Sequence, residues 1–344
     1  MNELIYHHSS PLKNGHLDAD FFYDMLALFP DASGFSPMAG CVGKYIYDGD
    51  NWNEIVEESH DFYIPRGDKE LMDCFFQDRE GLEAVRGLPC VDFGVGGRAS
   101  FLSHVLPLMR AIGSFQYTGV DFCEEALDRV CALQDDLSND IILDKVCMDF
   151  FVPTWRRASM VPALGMMNGI TVTNMYGSFY DRNIRKNLVR TLRRLSYLCC
   201  QGGLLLTIDT NQNEKSLRKA YETPLNSRLY LNVFPRMAHE LPVKNFDPSG
   251  FEYAPEWHPD LSLWAHVVRA TKSQDFFLGT RFIHLEKGQR LHLLNSYKFS
   301  KEFFESCCHD ASLSVVHQFE HETGMMLYLL KDLQEATHGI QRVH

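Results

Sequence analysis

The order of apolar segments between residues 68 and 210 constrains the fold of this 344-residue chain more than any other feature. Short apolar runs that end in turn residues alternate there with longer segments of helical period. The strand-like runs are LPCVDFGVG, QYTGVDF, DIILDKVCMDF, GMMNGITVTNMYGS and GGLLLTIDT. Helical patterns such as FLSHVLPLMRAIGS, EEALDRVCALQDDL and NIRKNLVRTLRRLSYLC lie between them. This alternation predicts an α/β domain built on a parallel sheet.

The segments on either side of this block have a different character. Residues 15–65 are rich in aromatic residues and glycine, whereas residues 226–330 combine proline-bearing loops with alternating, strand-like stretches such as LSLWAHVVRA. Neither flank has enough apolar sequence to form a core alone. We therefore predict a domain over residues 66–225 and a second lobe built jointly from residues 15–65 and 226–332.

Charge and composition narrow the class of partner. The chain has 45 acidic and 33 basic residues, a formal net charge of −12, which repels a phosphate backbone or an anionic membrane. The N-terminus lacks a signal-peptide pattern, and no window approaches the roughly 18 consecutive apolar residues of a membrane helix. The ten cysteines form no CxxC or zinc-like cluster. We expect a cytoplasmic protein with no metal, whose partner is a small molecule rather than nucleic acid or membrane.

The loop VDFGVGGR is the main candidate for cofactor binding. Gly94 and Gly96 permit a tight turn and a close approach of the backbone to a ligand. With Ala99, these glycines also fit the GxGxxA dinucleotide fingerprint, so a nicotinamide enzyme is an alternative. Asp92 favours S-adenosylmethionine (SAM), because a carboxylate there would repel a pyrophosphate but attract the amino group of the methionine moiety. We also assign Arg98, which departs from the dinucleotide pattern, to the cofactor site.

Further polar residues follow the later strands. Asp121 ends QYTGVDF, and its two carboxylate oxygens can accept hydrogen bonds from two ribose hydroxyls in either cofactor class. Asp149 and Phe150 suit an adenine, because the acid can bind the amino group while the aromatic ring covers the base. A helix N-cap is the structural alternative for Asp149. Asn174, in the loop after the fourth strand, is a further candidate. Acids at successive strand ends indicate SAM rather than a nicotinamide.

Motifs along most of the chain resemble one known family. They are KYIYDGDNWNEIVEESHDFYIPR, VDFGVGGR, YTGVDF, TNMYGSF, GGLLLTIDTNQNEKSLRKAYE and LNSYKFS, of which the last is the most specific. They resemble the histidine Nα-methyltransferases of ergothioneine biosynthesis, a family that includes fungal enzymes methylating dimethylallyltryptophan. The resemblance implies a Rossmann-like SAM methyltransferase sheet with helices on both faces, and a second α+β lobe that forms a lid over the substrate. It also implies methylation of an α-amine.

The resemblance suggests roles for individual residues. Tyr47 and Tyr63 match tyrosines near the substrate, where they would orient the amine and relay its proton. Tyr221 matches a tyrosine that holds the substrate carboxylate, and Ser296 matches a serine that reaches the substrate side chain. The carboxylate-binding asparagine of the family falls at Ser178, or at Asn174 if the register slips.

Two departures from the family pattern bear on the substrate. Leu294 stands where the histidine enzymes have a glutamate that grips the imidazole, and Ala265 aligns with a methionine that closes the imidazole pocket. An imidazole nitrogen buried against leucine would lose its partner at a cost of roughly 1–3 kcal/mol. A smaller residue at 265 would also enlarge the pocket. We predict an aromatic amino acid, or a derivative of one, rather than histidine.

Two alternatives stay open at this level. The changed substrate residues would also result from degeneration to a non-catalytic, cofactor-binding homologue, although the three acids Asp92, Asp121 and Asp149 are intact. A methyltransferase of another acceptor class, such as a small-molecule O-methyltransferase or a protein-lysine enzyme, is the other alternative. The expected lid argues for an enclosed small substrate.

Overall fold

The computed structural model describes residues 19–29, 42–46, 55, 61–137, 140–151, 157–169, 171–174 and 183–333. The strands in this part of the chain are β1 (Cys90–Phe93), β2 (Gln116–Asp121), β3 (Ile142–Cys147), β4 (Leu164–Met167), β5 (Leu204–Asp209), β6 (Val243–Lys244), β7 (Phe251–Tyr253), β8 (Glu256–His258), β9 (Leu263–Ala270), β10 (Gln274–Leu278), β11 (Arg281–Leu285), β12 (Arg290–Tyr297), β13 (Leu313–Glu320) and β14 (Met325–Asp332).

The helices in the same residues are α1 (Ala19–Leu28), α2 (Ile64–Phe75), α3 (Arg79–Ala84), α4 (Arg98–Ser100), α5 (Leu106–Ile112), α6 (Glu124–Cys131), α7 (Ile184–Leu198), α8 (Glu214–Tyr221), α9 (Pro224–Leu231), α10 (Val233–Glu240) and α11 (Lys301–Asp310). A π-helical turn over Phe101–Val105 joins α4 to α5. Shorter 3₁₀ turns cover Val42–Tyr45, Ala132–Asp136, Thr171–Thr173 and Pro259–Leu261. No helix among the described residues has the length and apolarity needed to cross a bilayer.

The central sheet has the strand order β3-β2-β1-β4-β5-β14-β13 within the described residues. The five strands from β3 to β5 are parallel, whereas β14 runs antiparallel to β5 and β13 antiparallel to β14. The order reverses between β1 and β4, and open α/β sheets bind their ligands in the crevice at such a reversal. The predicted α/β, Rossmann-like class is therefore confirmed, and the sheet places its ligand crevice after β1.

Helices cover both faces of this sheet. Every residue of β5 is buried, as expected for a parallel strand that packs against helices on both sides. Leu205 joins the apolar cluster that includes α2, α5 and α6, while Leu204 and Leu206 join a second cluster that includes α7 and α11. The basic helix α7 buries Leu188 and Leu192 at helical spacing in that second cluster. The exposed positions of α7 carry four basic residues, Arg185, Lys186, Arg190 and Arg193.

The flanking sequence forms two smaller sheets. One contains β12, β9 and β7 with β8 paired to β9, and the other contains β11, β10 and β6. The second lobe expected from the sequence extended to residue 332. In the structure, however, Leu313–Asp332 belongs to the central sheet. In this hairpin, β14 pairs with β5 and β13 covers β14. The pairing satisfies backbone groups that β5 would otherwise expose at a sheet edge.

Candidate active site

A cavity of about 270 Å³ lies at the carboxyl ends of β1, β2 and β4. This volume is near the lower end of the roughly 300–1,000 Å³ of small-molecule sites. Its walls come from the central sheet on one side and from the flanks on the other. Predicted residues that line it are Asp92, Gly94, Gly96, Asp121, Asp149, Phe150, Asn174, Tyr221, Leu294 and Ser296.

The loop after β1 shapes one end of the cavity. Gly94 has φ 78° and Gly96 has φ 61°, a left-handed backbone conformation that residues other than glycine rarely adopt. Between them, the Val95 amide donates to Asp121 Oδ2 at 3.1 Å, and the Cys123 amide donates to Asp121 Oδ1 at 2.8 Å. The two bonds fix both carboxylate oxygens, each of which can accept a further hydrogen bond, as two ribose hydroxyls require. Burial raises the pKa of Asp121 to about 6.

Asp92 is the second fixed acid at this end. Its side chain is buried and accepts a hydrogen bond from the Tyr117 hydroxyl at 3.1 Å. Burial raises the pKa of Asp92 to about 7, and the neighbouring carboxylates of Asp121 and Asp68 act in the same direction. A cation that entered the cavity would favour the ionised form of this acid. The site is therefore suited to an ammonium group rather than to an anion.

Asp149 and Phe150 line the other end of the cavity. Asp149 Oδ1 accepts from the Phe151 amide at 2.9 Å, which is the local backbone contact that the N-cap alternative anticipated. Asp149 Oδ2 accepts from Lys44 Nζ at 3.2 Å, and Lys44 also pairs with Asp24 at 3.1 Å. Phe150 packs edge-on against Phe93, which fixes the ring beside the strand ends. Lys44 thus ties the N-terminal flank to the acid after β3.

A hydrogen-bonded chain of polar side chains lies below the opposite wall. Ser296 Oγ donates to Asn174 Oδ1 at 2.9 Å and lies 2.9 Å from His266 Nε2. Because the serine proton goes to Asn174, the tautomer that completes this chain carries its proton on Nε2, which is also 3.1 Å from the Tyr230 hydroxyl. His266 Nδ1 then accepts from the Tyr253 hydroxyl, at 2.7 Å. Burial, followed by the charge of Lys298, holds the pKa of His266 well below its usual range, so this imidazole is neutral.

A buried ion pair supports Tyr221. Lys298 Nζ donates to Asp209 Oδ2 at 2.6 Å and to the Tyr221 hydroxyl at 2.8 Å, and neither charged side chain has any exposed surface. Burial, the largest single effect, lowers the pKa of Lys298, but the charges and hydrogen bonds of Asp209 and Tyr221 together outweigh it and leave that pKa raised. Since the Tyr221 oxygen accepts from Lys298, its own proton is directed elsewhere. Tyr221 lines the cavity, and its hydroxyl also has a hydrogen-bond contact with Ser296.

Three predicted site residues lie away from the cavity. Tyr63 donates to Asp209 at 2.6 Å, so its hydroxyl supports the ion pair, while its neighbours Phe62 and Ile64 line the cavity. Arg98 is 63% exposed and points to Asp136 at 3.8 Å. Ala265 does not line the cavity either. Tyr47 and Ser178 lie outside the described residues.

The register of β9 explains the position of Ala265. Leu294 and Ser296 of β12 line the cavity, and their partners across the ladder are His266 and Trp264. Ala265 pairs with Asn295 and belongs to the apolar cluster on the opposite face. Because neighbouring residues of a strand point to opposite faces, Ala265 does not border the substrate side. The enlargement expected from a small residue at this position is therefore absent.

Several cavity residues were not predicted from the sequence. They are Gly43, Lys44, Phe62, Ile64, Asp68, His104, Asn168 and Tyr230. Lys44, Phe62 and Ile64 lie in the motif KYIYDGDNWNEIVEESHDFYIPR, but the roles assigned to that motif fell on its tyrosines. The other residues come from segments far apart in the chain. Among the residues that the structure describes, no group of three or more His, Cys, Asp or Glu side chains could hold a metal ion.

The fold and the acidic residues of the cavity define a SAM-dependent methyltransferase. The parallel strands have the order β3-β2-β1-β4-β5, and buried acids stand at the ends of β1 and β2. A family model described as histidine-specific methyltransferase, SAM-dependent, matches residues 32–332. The chain belongs to this family.

The chain is also similar to several individual proteins. The uncharacterized protein y4iF of Sinorhizobium fredii (strain NBRC 101917 / NGR234) is 28% identical over 251 residues, 72% of this chain and 81% of that protein. The N-methyltransferase fsqC of Aspergillus fumigatus is 24% identical over 148 residues, 41% of this chain and 40% of fsqC. A SAM-dependent methyltransferase from Clostridium acetobutylicum ATCC 824 superposes with a TM-score of 0.44 at 12% identity, covering 82% of this chain and 96% of its own.

Proposed function

We propose that this methyltransferase acts on the α-amine of a small amino acid or a derivative, and that the acceptor is aromatic rather than histidine. The observation that carries the proposal is Leu294, which lines the cavity with 4% of its surface exposed. Its neighbour Ser296 donates to Asn174 and accepts from His266, so it has no second proton to offer an imidazole. A phenyl ring buried against Leu294 requires no such partner, and an indole needs one only for its single N–H. An imidazole has two polar ring nitrogens and loses a partner here at a cost of about 1–3 kcal/mol.

The substrate carboxylate would be held by Tyr221 and Asn174. The Tyr221 hydroxyl accepts from Lys298, and its own proton would turn from Ser296 to a bound carboxylate. The Asn174 oxygen accepts from Ser296, which turns the amide nitrogen of Asn174 toward a different partner. Two donors from separate elements would fix the position of a carboxylate, and with it the amine one carbon away. Asn174 is thus a better candidate for the family's carboxylate-binding asparagine than Ser178.

We assign the cofactor to the sheet side of the cavity, with Asp121 on the ribose hydroxyls, Asp92 near the methionine ammonium, and Asp149 with Phe150 at the adenine. When bound, SAM supplies an electrophilic methyl group. The residues of this chain would orient the acceptor nitrogen, about 3 Å from that carbon and opposite the sulfur, and exclude water. The acceptor must be a neutral amine, and a second cation is disfavoured beside a sulfonium. Positioning therefore carries most of the catalysis.

The two lobes would enclose the substrate between them. Gly43, Lys44 and Phe62 of the N-terminal flank reach the same cavity as Leu294 and Ser296 of the C-terminal flank. We propose that residues 15–65 and 226–300 form the lid, and that α11, β13 and β14 belong to the cofactor domain. An enclosed site favours a free amino acid over a protein side chain as the acceptor.

The experiment is a turnover assay with methyl-labelled SAM and a pool of tryptophan, tyrosine, phenylalanine, histidine and simple phenols. We expect mass increments of one to three methyl groups on an aromatic amino acid, at nitrogen. The variant Leu294→Glu supplies the carboxylate that the histidine enzymes use, and should shift the ratio of histidine to aromatic turnover upward. Histidine as the preferred acceptor of the unmodified protein would refute the proposal. Binding of SAM without turnover of any acceptor would favour a non-catalytic homologue.

A further inference from the structure

The two groups assigned to the acceptor carboxylate, the Tyr221 hydroxyl and the Asn174 amide, can each present either a hydrogen or a lone pair. A hydroxyl rotates about its C–O bond, and an amide that is turned over exchanges the places of its oxygen and its nitrogen. A carboxylate accepts hydrogen bonds and donates none, so it binds only where both groups present hydrogens. Their other partners must therefore fix them as donors.

Lys298 fixes the role of the Tyr221 hydroxyl. An ammonium group has three hydrogens and no lone pair, so it can only donate. Lys298 Nζ donates to the Tyr221 oxygen at 2.8 Å and to Asp209 Oδ2 at 2.6 Å. The lysine does not line the cavity, and its side chain has no exposed surface. Tyr221 therefore uses its oxygen toward Lys298 and its hydrogen toward another partner.

Ser296 extends this direction to Asn174 in the protein without a bound acceptor. The Tyr221 hydroxyl has a hydrogen-bond contact with Ser296, whose oxygen can accept the tyrosine hydrogen. The hydrogen of Ser296 goes to Asn174 Oδ1, at 2.9 Å. Because its oxygen is occupied, the Asn174 amide has its nitrogen available in the cavity that it lines. The hydrogens thus run in one direction, from the ammonium through the tyrosine and the serine to the amide.

The surroundings of the ion pair hold this arrangement in place. Asp209 accepts from the Tyr63 hydroxyl at 2.6 Å and from the Asn211 amide at 3.0 Å, so its carboxylate is satisfied without a hydrogen from Tyr221. The Tyr221 ring stacks on Trp264, with ring centroids 5.4 Å apart, which limits movement of the hydroxyl oxygen. The direction of the tyrosine hydrogen is then the variable that Lys298 controls.

We infer that Lys298 is a positioning residue for the acceptor carboxylate, because it makes the Tyr221 hydroxyl a donor and, through Ser296, prepares the Asn174 amide as a second one. The inference rests on the proposed amino-acid acceptor and identifies a buried group that serves its carboxylate. Donors that are already oriented lower the cost of ordering on binding. An amine without a carboxylate would leave both donors without this partner. The site therefore favours an amino acid over the corresponding amine.

The test compares amino acids with their decarboxylated amines, tryptophan with tryptamine and histidine with histamine. Isothermal titration into the full-length protein saturated with S-adenosylhomocysteine gives the preference for acid over amine. Lys298→Met/Asp209→Asn removes both buried charges and the donor to Tyr221, whereas Lys298→Gln/Asp209→Asn removes the charges but keeps an N–H donor. We expect the methionine variant to lower the preference for the acid by about tenfold, and the glutamine variant to retain it within about threefold.

Two single variants make the result interpretable. Tyr63→Phe is the matched control, because it removes a tyrosine hydroxyl bound to the same Asp209 carboxylate and leaves Lys298 on Tyr221. It should keep the preference for the acid within about twofold. Ser296→Ala leaves the ion pair intact but breaks the link to Asn174, and it should lower the preference by about threefold or more. Thermal unfolding without ligand identifies variants that have lost their fold, and Ser296→Ala decides if both double variants are lost.

The outcomes separate this inference from the proposed acceptor. Tighter binding of histidine than of tryptophan would refute the aromatic acceptor alone, and the histidine and histamine pair would then measure the effect of Lys298. Three results would overturn the inference: an equal preference in the two folded double variants, a full preference in Ser296→Ala, or an unmodified protein that prefers neither acid over its amine.

Discussion

Replacement of Lys298 by methionine should destabilise the protein far more than replacement of an exposed lysine. Lys298 and Asp209 have no exposed side-chain surface, and their charged atoms are 2.6 Å apart. Methionine keeps most of the apolar volume of lysine but removes the charge. Asp209 would then retain the Tyr63 hydroxyl and the Asn211 amide as donors without a neutralising cation. Breaking a buried pair in this way costs about 3–5 kcal/mol, a large part of the roughly 5–15 kcal/mol that stabilises a domain.

The assay is urea unfolding, analysed by linear extrapolation. Lys69→Met is the matched control, because Lys69 pairs with Asp73 while 60% of its side chain is exposed, and such a helical pair is worth about 0.3–0.5 kcal/mol. The double variant Lys298→Met/Asp209→Asn removes both buried charges. It should be less destabilised than the sum of the single variants by about 0.5–3 kcal/mol. The reasoning fails if the free energies of unfolding of Lys298→Met and Lys69→Met differ by less than about 1 kcal/mol. It also fails if the effects of the two single substitutions simply add in the double variant.

Three further outcomes follow from the site. Asp121→Asn should lower the affinity for S-adenosylhomocysteine by about tenfold or more in calorimetry, because one charged acceptor is lost. An unchanged affinity would contradict the assignment of Asp121 to the ribose hydroxyls. Without cofactor, the stabilising contribution of Asp92, complete below the unfolded pKa near 3.9, should be lost as pH rises through about 7. Urea midpoints at pH 5 and pH 8 should therefore differ less in Asp92→Asn than in the unmodified protein. Gly43→Ala would place a Cβ 2.6 Å from Leu294 Cβ, so we expect a loss of about 1–3 kcal/mol in thermal unfolding. The loss should be smaller in a Leu294→Gly background, which removes the facing Cβ.

The sheet and its acids were predictable because both follow from local pattern. Apolar runs ending in turn residues locate the parallel strands, and their carboxyl ends share one edge of the sheet. Asp92 and Asp121 therefore had to lie near each other, and both line the cavity. The hairpin β13–β14 was harder to assign, because its alternating pattern fits an edge of the central sheet as well as a strand in the second lobe.

The flanking site residues depend on register, which the sequence does not specify. A shift of one residue in a strand moves a side chain to the opposite face. Ala265 and His266 are neighbours in β9 and point to opposite faces. Ala265 faces the second apolar cluster, whereas His266 forms a hydrogen bond with Ser296. The irregular pairing between His292 and Leu294 in β12 adds to this uncertainty, because a bulge changes which residues share a face.

Long-range pairs were beyond prediction for a different reason. Asp68 and His104 belong to separate helical segments, and neither lies in a motif that carries a chemical pattern. Only their positions in the folded chain bring them to the same end of the cavity. Arg98 illustrates the converse, since its place beside the glycine loop suggested a cofactor contact, while its side chain extends to the surface.

The most direct test of the account is a comparison of acceptor affinities in the presence of S-adenosylhomocysteine. Tryptophan, tyrosine and histidine are titrated separately into the protein saturated with this demethylated cofactor. If Leu294 forms an apolar wall beside the site of methyl transfer, at least one of the two larger aromatic amino acids binds more tightly than histidine, by about tenfold for an unpaired nitrogen. If histidine binds more tightly than both tryptophan and tyrosine, the account is contradicted.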